Sequence, residues 1–194
     1  IFELPIQDNI NNTVAYTPTN IKSSKELGFD FLTYFNVTER WFLSFVTSFY
    51  NTKDEAIFNN EIVNFNKWSN YTVINNNFSF LKDRSLKTSF ILTYVSANLQ
   101  GLREVATRVL TELSLSKTIF KSKGVLSVSF SDLLNDHDYF VTTKYLNQNS
   151  TSFTNLDNRY IKLGFRYKFG NTKLKTNENI KEKEELNRLI KIDH

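Results

Sequence analysis

Residues 160–169 read YIKLGFRYKF, and apolar side chains alternate with cationic or small ones along this stretch. Successive side chains of a β-strand point to opposite faces of its sheet. One set of alternate positions is therefore apolar throughout, whereas the other carries Lys162, Arg166 and Lys168. The stretch predicts a β-strand that places an apolar face and a cationic face on opposite sides of one sheet.

The same two-residue period recurs along the chain, which contains 18 Phe and 9 Tyr among its 194 residues. Aromatic and β-branched residues favour pleated, half-buried surfaces. The alternation is clean in four further segments, 26–35, 86–94, 108–117 and 125–130. Residues 41–50 are apolar on both faces at points, and residues 68–81 alternate least cleanly. The sequence therefore predicts an all-β fold.

The connections between these segments alternate in length. Three are short turns: Val37-Thr38-Glu39, Lys82-Asp83-Arg84 and Lys121-Ser122-Lys123. Three are longer and polar, at about 53–67, 98–106 and 132–158. Transmembrane barrels have short turns on one side and long loops on the other. We therefore expect an antiparallel up-and-down meander of seven or eight strands, part of a transmembrane β-barrel, with 53–67 and the tip near 147–150 on the side away from the short turns.

The predicted strands occupy residues 24–170. Residues 1–23 contain Pro5 and Pro18 and are expected to form an irregular opening segment or the end of a preceding strand. Residues 138–146 and 150–153 favour an outward hairpin, and residues 171–194 a charged periplasmic tail. Because the chain contains no Met, we expect upstream sequence to precede it.

Composition argues against an enzyme. The chain has no Cys and only 2 His, and no phosphate loop, GxSxG or HExxH motif occurs. We therefore expect no catalytic residues, cofactor or metal. A net charge of +4 is weak support for nucleic-acid binding, which we do not expect. The sequence contains no run of 18 apolar residues, so it predicts no transmembrane helix.

Three stretches carry a family resemblance. The run NRYIKLGFRYKFGN (158–171) resembles the closing strand of TonB-dependent-receptor-like outer-membrane proteins. Its Tyr167-Lys168-Phe169-Gly170 is similar, more narrowly, to the end of that strand in the outer-membrane β-barrel family. KGVLSVSFSDLLN (123–135) resembles the family's penultimate strand, with Leu134 where Phe is usual, and SSKELGFDF (23–31) resembles a strand opening.

The resemblance implies the bacterial outer membrane and the C-terminal portion of a receptor or transporter that takes up a solute. Full-length relatives of that kind have about 22 strands and a plug, of which this chain would supply about a third. The implied partners are outer-membrane lipid, upstream barrel strands and a plug, and the solute stays unspecified. Two alternatives remain open: a small self-contained barrel with a structural or adhesive role, and a soluble lipocalin-like ligand-binding barrel.

Charged residues on the polar strand faces are the candidate lumen-facing groups. They are Glu26, Asp30, Arg108, Glu112, Lys162, Arg166 and Lys168. They could line a solute path, but cross-strand pairing of opposite charges is the favoured interpretation. Aromatic residues near strand ends predict interfacial girdles: Trp41, Trp68, Tyr71, Tyr94 and Tyr167. The acidic loop SDLLNDHD (131–138) is interpreted as an outer loop with an exposed His137 rather than a Ca²⁺ site.

Overall fold

The computed structural model describes residues 2–8, 10–58, 60–146 and 148–170. These residues form thirteen β-strands joined by turns and short irregular segments. Among them, no helix is long and apolar enough to cross a membrane. The predicted tail, 171–194, lies outside the described residues.

A seven-stranded antiparallel sheet dominates the fold. Its strands, in chain order, are β3 (Ile21–Thr38), β4 (Trp41–Phe58), β5 (Glu61–Phe80), β6 (Leu86–Val95), β9 (Arg108–Ile119), β10 (Gly124–Ser131) and β13 (Ile161–Tyr167). Each strand pairs with its predecessor in this series, so the sheet is a meander. The predicted all-β, up-and-down architecture is confirmed.

The sheet is open in the described residues. β3 pairs only with β4, and β13 pairs only with β10. Both edge strands therefore keep backbone N–H and C=O groups that no strand of this sheet satisfies.

The remaining strands form two smaller sheets. β1 (Phe2–Asp8) and β2 (Thr13–Thr19) make an antiparallel hairpin with each other. The other four strands are β7 (Asn98–Gln100), β8 (Arg103–Val105), β11 (Tyr139–Tyr145) and β12 (Gln148–Thr154). They form a four-stranded sheet in which β11 joins the β7–β8 hairpin to β12. We call this sheet the cap.

Antiparallel order separates the connections by length. The turns after β3, β5 and β9 share one end of the large sheet, which we call the turn end. The β7–β8 and β11–β12 hairpins and the β4–β5 tip are at the other end, the cap end. The predicted separation is confirmed, since Asp83 lies at the turn end and Asn149 in the cap.

Two local predictions were wrong. Residues 53–67 are not a polar connection, because β4 and β5 continue through them and reverse tightly at Asn60, whose φ is 65°. The segment 98–106 contains the β7–β8 hairpin. Within the opening segment, residues 2–8 pair with 13–19, and β3 begins at Ile21. The hairpin predicted in 138–153 is present, but it joins the cap instead of extending the large sheet.

The buried apolar core lies at the cap end. Leu102, between β7 and β8, is 1% exposed and packs with Tyr145 of β11 against Ala56 and Val63 of the large sheet. Elsewhere large apolar side chains of the big sheet face outward: Leu163 is 79% exposed and Phe165 is 62% exposed. A surface of this kind needs an apolar environment around it.

Candidate lumen-facing wall

The register assigns every residue of the large sheet to one of two faces. On the first face, Leu163 and Phe165 of β13 stand opposite Val128 and Leu126 of β10. On the second, Lys162 stands opposite Ser129. Followed across the paired strands, the first face is mostly Leu, Phe, Val and Ile, and we call it the apolar face. The second carries most of the hydroxyl, amide and charged groups, and we call it the polar face.

Six of the seven candidate residues share the polar face. Their cross-strand neighbours are Thr52 for Glu26, Ser48 for Asp30, Val95 for Arg108, Ile91 for Glu112, Ser129 for Lys162 and Val125 for Arg166. Lys168 lies just beyond β13, where its backbone N–H donates to the carbonyl oxygen of Lys123. The alternation in the sequence thus brings these charges onto one surface.

The expected cross-strand ion pairs do not form among the described residues. The three ion pairs there join Lys22 to Glu55, Lys67 to Glu104 and Arg84 to Glu39. None includes a candidate residue. Glu26 accepts only a long hydrogen bond, 3.4 Å, from the hydroxyl of Thr52. Within the described part of the chain, the candidate residues therefore present charges of both signs that form no ion pair.

Two adjoining cavities lie beside Glu112. One of about 240 Å³ extends across β10 and β13 to Lys162, and serine hydroxyls line it. The other, of about 230 Å³, reaches His137 and Asn158. Both share Glu112, Ser131 and Tyr160. A carboxylate, an ammonium and several hydroxyls thus face one space, the donor and acceptor set that a polar solute requires.

The cap lies over the polar face. Ala56 and Val63, which pack against Leu102 and Tyr145, are cross-strand partners on that face of β4 and β5. Tyr139 of β11 also covers it, because the Arg108 guanidinium carbon lies 5.0 Å from the centre of the Tyr139 ring. The cap therefore folds inward over the surface that carries the candidate charges.

Arg108 is held beneath the cap in an unusual environment. Its Nη1 is buried and has no hydrogen-bond partner in the described residues. The Tyr139 hydroxyl that covers it donates to Oε1 of Gln100 in β7, at 2.7 Å. Sequence alternation identified Arg108 as a polar-face residue, but its contact with β11 depends on a fold between distant segments.

The acidic loop after β10 is ordered by its own hydrogen bonds. Asp132 is buried, and its Oδ1 accepts from the backbone N–H of Asp136 at 3.3 Å. His137 is half-buried rather than exposed, with Nδ1 2.7 Å from Nδ2 of Asn158. The described residues contain no group of three or more His, Cys, Asp or Glu side chains arranged to hold a metal.

Aromatic residues mark both ends of the apolar face. At the turn end, Trp41 stacks on Phe78 with ring centres 5.4 Å apart, and Tyr167 contacts Phe120 at 6.0 Å. Towards the cap end lie Trp68 and Tyr94. Tyr71, also predicted for a girdle, is on the polar face instead, opposite Val95.

The spacing of the two belts matches a bilayer. From Trp68 to Phe78 the strand advances ten residues along β5. At about 3.3 Å per residue and a tilt of about 40°, that is a height of about 25 Å, the apolar band of a transmembrane barrel. Apolar outside, polar inside and flanked by aromatic belts, the large sheet is part of the wall of a transmembrane β-barrel.

A comparison with protein families agrees with this geometry. The model of the outer membrane protein beta-barrel family matches residues 1–167. The chain belongs to that family, and its location is the bacterial outer membrane. No curated protein and no solved structure shows significant similarity to it. Because the apolar face contacts lipid in that location, the soluble lipocalin-like alternative is set aside.

Proposed function

We propose that this chain forms part of the wall of a larger receptor-like barrel, and that polar solutes are taken up along its polar face. The observation that carries the proposal is the set of unpaired charges of both signs on that face. Glu112 and Lys162 are both exposed on that face, and neither forms an ion pair among the described residues. Both charges are therefore available for contact with a passing solute.

The cavity between Glu112 and Lys162 supports the same function. Glu112 and Lys162 sit on strands either side of β10, with Ser129 and Ser131 between them. The site thus offers an acceptor and a cationic donor separated by hydroxyls. We propose a solute with several hydrogen-bonding groups, and we leave its identity to experiment.

The partners that we propose are outer-membrane lipid, further barrel strands and a plug, as in TonB-dependent receptors. The two open edges of the large sheet support the further strands, because hydrocarbon cannot satisfy unpaired backbone groups. A small self-contained barrel is less well supported. The residues before β3 would have to supply its eighth strand, but β1 and β2 pair with each other.

Cysteine labelling tests the wall assignment, since the natural chain has no Cys that would interfere. Lys162→Cys and Leu163→Cys are neighbours in β13 with opposite orientations. In intact outer membranes, a charged, membrane-impermeant maleimide should label position 162 and spare position 163. Equal labelling of both would refute the assignment of faces.

The solute role has its own readout. Labelling at position 162 is repeated in the presence of a peptide hydrolysate or of an oligosaccharide mixture. Slower labelling with one mixture supports a solute path and indicates the class of solute. If position 162 labels at the same rate with both mixtures, the wall assignment survives and the uptake proposal is refuted for those solute classes.

A further inference from the structure

The apolar face contains a groove near the turn end. It has a volume of about 520 Å³ and crosses β6, β9, β10 and β13. The register builds it from two neighbouring rows of side chains. The row nearer the turns is Leu86, Lys117, Leu126 and Phe165, and the inner row contributes Leu115, Val128 and Leu163. One cationic residue is thus enclosed by an apolar surface.

Lys117 is unusual in its position. From the cap-end belt to the turn end of the strands, it is the only charged residue that the described strands place on the apolar face. A charge on the lipid side of a barrel is costly unless it reaches the interface. Lys117 lies two residues before the end of β9, about 7 Å along the strand, so its long side chain can extend to the headgroup region.

The contacts of Lys117 use only one of its N–H donors, and the Asp83 carboxylate lies beyond the hydroxyl that it contacts. Its Nζ donates to Oγ of Ser85 at 2.6 Å, and that hydroxyl lies 2.7 Å from Oδ1 of Asp83. An ammonium has three N–H donors, so two remain. No carboxylate in the described residues forms an ion pair with Lys117. The adjacent turns add Lys82, Lys121 and Lys123, whereas Arg84 already pairs with Glu39.

We propose that this groove is a binding site for an anionic phospholipid in the leaflet at the turn end. An acyl chain lies along the inner row of the groove, and the lipid phosphate accepts hydrogen bonds from Nζ of Lys117. The basic turns complement the negative headgroup, as clusters of Lys and Arg do at anionic membrane surfaces. The inference rests on the membrane location of the sheet and not on any solute.

Lipid retention tests the site. The protein, extracted whole from outer membranes, is placed in nanodiscs that contain equal amounts of phosphatidylglycerol and phosphatidylcholine. Native mass spectrometry then measures which lipids stay bound as the disc is removed. The natural protein should retain phosphatidylglycerol preferentially. Lys117→Gln should reduce that preference about fivefold, the change expected for one basic residue at an anionic surface, and Lys117→Arg should keep it.

The chain offers a matched control. Lys87 follows Leu86 on β6, at the same depth as Lys117 but on the polar face. Lys87→Gln should leave lipid preference unchanged. Leu163→Trp, which fills the groove but keeps Lys117, should lower retention of both lipids. The proposal is overturned by equal retention of the two lipids in the natural protein, by an unchanged preference in Lys117→Gln, or by an equal loss in Lys87→Gln.

Discussion

Gly28 and Gly164 provide a test of how tightly the strands of the polar face are packed. Both face a side chain on the neighbouring strand: Gly28 faces Tyr50 of β4, and Gly164 faces Ser127 of β10. A Cβ added at Gly28 would clash with the carbonyl oxygen of Phe49 and would lie 2.6 Å from Cβ of Tyr50. At Gly164 it would meet only the Ser127 Oγ, at 2.6 Å.

These neighbours differ in how easily they can move. The groups around Gly28 are backbone and the root of a large side chain, so relief requires a shift of the β3–β4 pairing. Overpacking of this kind costs about 1–3 kcal/mol. The Ser127 hydroxyl can rotate away. Alanine also gains about 0.5–1 kcal/mol over glycine within a strand. Gly28→Ala should therefore destabilise the barrel by about 1–2 kcal/mol, and Gly164→Ala should be close to neutral.

The measurement is urea unfolding of the protein in detergent micelles, with the folded fraction followed on unheated gels, where the compact folded barrel migrates faster than the unfolded chain. Gly164→Ala combined with Ser127→Ala serves as a control, because it removes the contacting hydroxyl and should be at least as stable as the natural chain. If Gly28→Ala unfolds at the same urea concentration as Gly164→Ala, the close approach of β3 and β4 at Gly28 is refuted.

Three further predictions follow from the faces, the cap and the turns. Phe165→Arg should cost about 2–4 kcal/mol in bilayers and impair folding far more than Lys162→Ser, and equal yields of folded protein would contradict the face assignment. Leu102→Ala removes a buried side chain and should cost the cap about 2–5 kcal/mol, seen as faster amide exchange at β11 without faster exchange at β10. The hydrogen bond from the Ser85 hydroxyl, followed by that from the Ser85 N–H, lowers the pKa of Asp83 below its ordinary 3.8. The stabilisation of this turn is thus present above pH 3.8 and lost as the pH falls through the lowered pKa. Amide exchange at Ser85 should follow that pH dependence in the natural protein and not in Asp83→Asn.

Alternation predicted the strands well where the sheet lies within the membrane. The alternating segment 125–130 lies within β10, Gly124–Ser131, because lipid on one side and a polar interior on the other impose a strict two-residue period. The prediction of a polar connection at residues 53–67 was wrong because this constraint ends at the membrane boundary. They extend beyond Trp68 and the cap-end belt, where Asn64 and Asn66 occupy positions of the apolar face in contact with water. The period is lost there although the strands continue.

No local sequence pattern predicted the cap or its contacts with the large sheet. Leu102 and Tyr145 belong to short segments far apart in the chain, and they become a core only when β8 pairs with β11. The sequence also could not predict which charged residues form ion pairs. Glu112 and Lys162 have opposite signs on one face, and only the register shows that β10 separates them. Periodicity fixes the face of a residue but not its neighbour two strands away.

The direction of the edge strands argues that the sheet closes with the help of other strands. β3 and β13 both run from the cap end to the turn end, because an antiparallel meander of seven strands begins and ends in the same direction. Closing this sheet on itself would require a parallel pair, whereas single-chain barrels of bacterial outer membranes are antiparallel and have an even number of strands. The edges also differ in length, since β3 has 18 residues and β13 has 7. A closure that keeps every pair antiparallel therefore requires an odd number of strands between β13 and β3. It would also satisfy the backbone groups of both edges, which hydrocarbon cannot.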